Sequence, residues 1–148
     1  MDSVTNVDLA KLALKRSGRW LKSALRALED RRWDDVVYSS QMAVEQASKA
    51  VLIALGIEYP KEHDVSVVFK QIREMENIPV WFASIIPELA NIISELAELR
   101  GLAGYGYEKG LDADYFKEYA PEAYEMARKH YEACAKLLHQ LYNIATEN

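Results

Sequence analysis

Apolar residues recur every three to four positions along almost the whole chain, and no stretch alternates in the two-residue rhythm of a strand. A first helix is predicted over about residues 6–29, where Leu14, Leu21, Leu25 and Leu28 share a face flanked by Trp20 and Ala24. A second opens at Asp34, a suitable N-cap, and runs to Leu55, where Gly56 supplies a left-handed cap. Its inward stripe is Val36/Val37, Ala43/Val44, Ala47, Ala50/Val51 and Ala54/Leu55, and the small side chains imply close approach of a neighbouring helix. Glu45 and Lys49, four apart in the favourable order, fall on the opposite, wetter side. A shorter third helix is read over residues 64–76, burying Val65, Val68, Phe69, Ile72 and Met75. Pro87 suits the first turn of a fourth helix extending to about Arg100, with Leu89, Ile92, Ile93, Leu96 and Leu99 inward. Pro121 opens the last, with Tyr124, Ala127, Tyr131, Leu138, Leu141 and Tyr142 inward. The predicted fold is all-α, an up-and-down bundle of four long helices plus one short one, forming a single domain over residues 1–148.

Composition adds exclusions. Half the residues are apolar and 28% are charged, enough to build a core without disulfide or metal staples. Apolar runs reach only about the length of AVLIAL (residues 50–55), too short to span a membrane. The acidic, polar start MDSVTNVDLAKL does not read as a secretory signal, and Cys134 alone permits neither an internal disulfide nor a cysteine metal cage. The expectation is a cytoplasmic protein with no membrane partner, no cofactor and no metal.

The net charge of −5 argues against indiscriminate coating of nucleic acid, but the charge is uneven. Residues 1–32 carry eight Lys/Arg against four Asp/Glu, whereas the remainder is acidic. Lys11, Lys15, Arg19, Lys22 and Arg26 are spaced by four, four, three and four, which gathers them into an arc of roughly 80° clear of the leucine face. Such a basic ridge is either a solvated helix face or a track for phosphates or an acidic partner.

Four of the six glycines, Gly101, Gly104, Gly106 and Gly110, follow Arg100 and surround Tyr105 and Tyr107. One glycine suffices to end a helix, so the cluster also fits a backbone that approaches something closely. Five of the nine tyrosines lie between residues 105 and 124, offering stacking area with a polar tip. His130 and His139 are nine apart on one helix, on opposite faces, and read as structural; His63 beside Asp64 reads as a helix-start residue. Cys134 reads as a small buried filler.

The segment WDDVVYSSQMAVEQASKAVLIALG (residues 33–56) resembles the second helix of HEPN domains, a nucleotide-binding family. PKEHDVSVVF is similar to that family's turn into a third helix, LRGLAGY falls where members carry an arginine ahead of a tyrosine, and YAPEAYEMARKH resembles the start of their last helix. The resemblance implies the same helical bundle, assembled as a homodimer. Some members it points to are metal-independent ribonucleases, in which an arginine is followed four to six residues later by a histidine that moves the ribose 2′-hydroxyl proton. Others are partners of a minimal nucleotidyltransferase in a toxin–antitoxin pair, silenced by adenylylation of a tyrosine. Laid on this chain, Arg100 takes the arginine's place, Tyr105 stands where histidine belongs, and Tyr107 occupies the modified position. A phenol with a pKa of about 10 is a poor base at neutral pH. The resemblance therefore implies a module that grips nucleotide or RNA through Arg100, Tyr105 and Tyr107, with Glu45 holding Arg100, rather than an efficient nuclease. A metal-independent ribonuclease toxin and a purely structural dimer are the alternatives.

Overall fold

The second helix is buried on nearly every side, and the other helices are arranged around it. The computed structural model describes residues 4–146; the first three residues of the opening segment and residues 147–148 lie outside the described residues. Five helices follow in order: α1 (Asn6–Glu29), α2 (Trp33–Ala54), α3 (Ser66–Lys70), α4 (Val80–Tyr105) and α5 (Ala120–Tyr142). With their connecting 3₁₀ turns they form an all-α bundle, as the periodicity predicts. α2 packs against α1, α4 and α5. Fourteen of its 22 residues are buried, including Ala43, Ala47 and Ala50, which present no side chain beyond Cβ to hold a neighbour away. The α1 contact is close enough that the buried Ser17 hydroxyl donates to the Ala43 carbonyl at 2.6 Å.

Local chemistry explains the helix ends. At the start of α1 the Asp8 amide donates to Thr5 Oγ1 (3.1 Å) while the Thr5 amide donates to Asp8 Oδ2 (3.0 Å), a reciprocal capping box. α1 ends with Arg31 in the left-handed region at φ 61°. The Arg31 and Arg32 amides there close onto the Leu28 and Ala27 carbonyls. Gly56 (φ 73°) ends α2 as predicted, its amide closing onto Ile53 and that of Ile57 onto Leu52. Asp34 is not the N-cap of α2; Arg32 holds that place, and Asp34 and Asp35 sit in the first turn, where carboxylates suit the positive end of the helix.

Several expectations shift for packing reasons. α3 is only five residues long and tightens into a 3₁₀ turn over Gln71–Glu74. Val65, Phe69 and Ile72 are buried as expected, but Met75 is exposed. α4 starts seven residues before Pro87, which therefore lies inside it. Packing offsets the amide that proline lacks. Phe82 is fully buried with its ring 6.1 Å from Phe69, and Trp81 donates to Gln140 Oε1 at 2.8 Å beneath the Lys136 ammonium. On α1 the core face is Ala10, Leu14, Ser17, Ala24 and Ala27, while Leu25 is exposed. On α5 the innermost line is Ala120, Ala123, Ala127, His130, Cys134, Leu137 and Leu138, with the tyrosines at the rim. From Val80 to Lys109 the chain is long and apolar enough to cross a membrane by length and composition; its buried residues Ile86, Leu89, Ile93 and Leu96 belong to the bundle core.

His130 and Cys134 are both buried, and burial raises the Cys134 thiol well above its ordinary range. The Ser48 hydroxyl donates to the Val44 carbonyl at 2.7 Å, so it accepts from His130 Nε2 at 2.7 Å. That fixes a neutral ring with its Nδ1 lone pair facing the core unpaired. Burial pushes the imidazole down to about 3. An unfolded histidine titrates near 6.5, so below that pH the unfolded chain binds a proton that the folded chain refuses. Stability is lost as pH falls from about 6.5 toward 3, by roughly 1.4 kcal/mol per unit, and is unaffected by this group above 6.5. Urea unfolding is expected to show wild type losing about 2 kcal/mol more than His130→Leu between pH 6.5 and 5. Parallel losses in the two proteins would assign the acid sensitivity elsewhere.

Candidate functional site

Tyr38, Gln41, Glu45 and Lys49 recur at steps of three and four and so form one polar line along α2. At one end Arg100, from the last third of α4, donates Nη2 to the Tyr38 hydroxyl at 2.9 Å, with Cζ 4.9 Å over the Tyr38 ring. Trp20 of α1 stands edge-on to the same ring at 6.3 Å, and Arg16 lies 5.1 Å over Trp20. Arg100 Nε, Trp20 Nε1 and Gln41 Oε1 are buried without a hydrogen-bond partner. Among the described residues no carboxylate pairs with Arg100, whereas Arg26, Arg32 and Arg128 each pair with at least one. The guanidinium is therefore half-buried, oriented by a phenol, and electrostatically uncompensated.

Glu45 does not hold Arg100, and it does not face water. It is 5% exposed, and its carboxylate is fully engaged. Gln41 Nε2 donates to Oε1 at 3.0 Å, Lys49 Nζ to Oε2 at 3.0 Å, and His63 Nδ1 lies 2.7 Å from Oε1. Burial pushes this carboxyl up, but the bonds from Gln41, Lys49 and His63 outweigh it and hold the group below the ordinary range. The ammonium of Lys49 also lies 5.6 Å over the Tyr59 ring. His63 thus joins α2 instead of capping α3, where Asp64 accepts from the Ser66 amide at 2.9 Å. Sequence spacing gave no sign of the Glu45–His63 contact, since 18 residues and a loop separate the partners.

Arg100 and the two tyrosines do not converge within one chain. α4 runs on through Gly101 and Gly104 to Tyr105, so five helical residues set Arg100 and Tyr105 about 140° apart. Tyr105 and Tyr107 are exposed, 6.5 Å apart, and Tyr105 lines an open cleft with Glu98, Gly101, Leu102, Glu108 and Lys109. The glycines differ in what they do. A Cβ on Gly104 would meet Tyr38 at 3.2 Å, one on Gly106 would meet Leu111 at 3.3 Å, and Gly110 has φ 79°. Gly101 alone of the four has neither a neighbour within 4 Å nor a left-handed backbone.

The ridge is a surface feature with an apolar margin. Lys11, Arg19, Lys22 and Arg26 are exposed and Lys15 is half-buried. Arg26 pairs with Glu29 at 3.1 Å, so an acid does flank the row. Lys15, Arg19 and Lys22 border a groove floored by Leu14, Gly18, Leu21 and Tyr131 between α1 and α5.

The all-α bundle is the fold that the resemblance in the sequence implies. The model of the family described as HEPN domain matches residues 10–140, and the chain belongs to that family. It is similar to a protein of Methanocaldococcus jannaschii named "Putative toxin MJ1304", with 39% identity over 95 residues. That match covers 62% of each chain, so this protein spans less than two thirds of the relative's length. No solved structure matches the chain.

The glycines make a paired test of the Tyr38 contact. Gly101→Ala, in open space on a helix, is expected to stabilise by about 1 kcal/mol. Gly104→Ala is expected to forfeit that gain, because its Cβ presses on a ring fixed between Trp20 and Arg100. Equal stabilisation of both variants in urea melts would show that the Tyr38 ring is not held.

Proposed function

We propose that this chain is the toxin-type half of a toxin–antitoxin pair and that it works as a homodimer whose Arg100 face grips RNA or a nucleotide. The observation that carries this reading is the uncompensated guanidinium. A half-buried cation without an acid is costly, and a phosphate oxygen at the exposed side of the guanidinium balances its charge through a charge-assisted bond. Tyr105 and Tyr107 supply exposed rings on which a base stacks. Because one chain turns these rings away from Arg100, the reading requires a second copy to complete the groove, and the bare helix surface at Gly101 allows that copy close approach. The relative's name motivates the toxin assignment.

The partner in this reading is a minimal nucleotidyltransferase acting in the cytoplasm, and Tyr107, 69% exposed, is the hydroxyl it modifies. Tyr105 gives no base for efficient cleavage at the motif position. The ridge adds sequence-independent attraction for the strand.

Affinity for fluorescein-labelled single-stranded RNA, measured at two salt concentrations, tests the assignment. Arg100→Ala is expected to weaken binding roughly tenfold or more, the effect of losing a charge-assisted contact. Replacing Lys11, Arg19 and Lys22 with glutamine is expected to weaken binding and lower the salt slope by about 0.7 per cation that contacts phosphate. Wild-type protein that binds neither RNA nor adenine nucleotides at low salt would leave the structural dimer as the better reading.

A further inference from the structure

The groove between α1 and α5 takes no part in the Arg100 site. Gly18, on its floor, is two residues from Trp20, which sets the two about 160° apart round α1. The groove has two continuous lobes of about 150 and 390 Å³ that share Leu21, Tyr131 and Thr146. Its floor is mainly aliphatic: Leu14 and Leu21 come from α1, Ala135 from α5, and Ile144 from the segment that follows α5. Asn143 turns that segment back at φ 56°, the Ile144 amide donates to the Leu138 carbonyl at 3.4 Å, and Ile144 is buried as a result. Gly18 keeps the α1 surface low enough for Tyr131, since a Cβ there would stand 3.2 Å from the phenol oxygen. The rim is cationic. Lys15, Arg19 and Lys22 line the α1 side, and among the described residues neither Arg19 nor Lys22 pairs with a carboxylate. Lys136 stands on the α5 side with its ammonium 4.3 Å over Trp81. Glu132, the carboxylate that lines the groove, already accepts from Arg128 Nη1 at 3.0 and 3.1 Å.

We infer that this groove docks an amphipathic helix of a separate partner protein, one whose apolar stripe is flanked by carboxylates. An aliphatic trough edged by cations is complementary to that surface in both shape and charge. Leucine-like side chains fill the two lobes, and the flanking acids reach Arg19 and Lys22. Nucleic acid suits the groove less well, because a stacked base gains little from Leu14, Leu21, Ala135 and Ile144. A second copy of the chain is also a poorer occupant. On its acidic α4–α5 side Glu88, Glu95, Glu125 and Glu132 are already bonded to Lys129, Tyr119 and Arg128. From Lys15 to Lys22 on one wall, and from Tyr131 to His139 on the other, the groove runs about 10–12 Å, so it seats two turns of the docked helix. This assignment is independent of the Arg100 reading, although the docked helix takes ridge cations that a strand would otherwise use.

The probe is a synthetic helical peptide of about 18 residues, with leucine at every third or fourth position and glutamate on both flanks. It is titrated into the full chain labelled on its Leu, Ile and Ala methyl groups and followed by NMR. The Leu21, Ala135 and Ile144 signals are expected to shift and saturate. Combining Arg19→Glu with Lys22→Glu, both at exposed positions, is expected to weaken binding roughly tenfold or more at low salt while the urea midpoint stays near wild type. A control peptide with lysine in place of every glutamate is expected not to bind. Equal binding of that control, unchanged affinity in the double variant, or groove methyls that stay fixed would each overturn the inference. So would single-stranded RNA that shifts those methyls where the peptide does not, or the same shifts on concentrating the chain alone, which would give the groove to a strand or to a second copy. The Arg100→Ala measurement decides the RNA reading separately, so failure of one leaves the other standing.

Discussion

Burial of α2 on nearly all sides is the constraint from which the rest of the structure follows. Ala43, Ala47 and Ala50 let neighbouring helices approach closely, and the Ser17 hydroxyl reaching the Ala43 carbonyl shows how near α1 lies. A helix so enclosed has no cheap place for polar side chains. Each polar residue it carries needs a partner from another element or leaves a desolvated group unsatisfied. His130 meets Ser48 on that account, and Glu45 gathers Gln41, Lys49 and His63 around one carboxylate.

The same constraint sets out the site. Tyr38 lies on the polar line of α2 where it is still partly exposed, and its hydroxyl and ring take up the Arg100 guanidinium. Gly104 keeps the α4 surface low enough for that ring to lie against it. The two ends of the line then have different characters. One presents a cation oriented by an aromatic ring and not neutralised. The other presents an imidazole and an ammonium anchored on a shared carboxylate.

The helices were legible in the sequence because burial imposes a 3.6-residue rhythm, and Gly56 and Pro121 mark their ends by backbone geometry that local sequence decides. Pro87 misleads because its local preference for a first turn is overridden by Phe82 and Trp81, whose packing partners lie far along the chain. Helical Gly101 and Gly104 carry α4 past Arg100 and turn Tyr105 away from it. Arg100 itself stood out from its motif. Tyr38 as its partner, and His63 as the partner of Glu45, did not, since no spacing rule reports which helix a loop folds back upon.

The proposed function requires the Arg100 guanidinium to take an anion. Its Nε–H is buried and unpartnered, which makes it a direct reporter. In nitrogen-edited NMR spectra, the Arg100 Nε–H resonance is predicted to shift and saturate on titration with short single-stranded RNA, together with signals from Tyr38. A resonance that stays fixed while RNA binding shifts signals elsewhere on the surface would contradict the account.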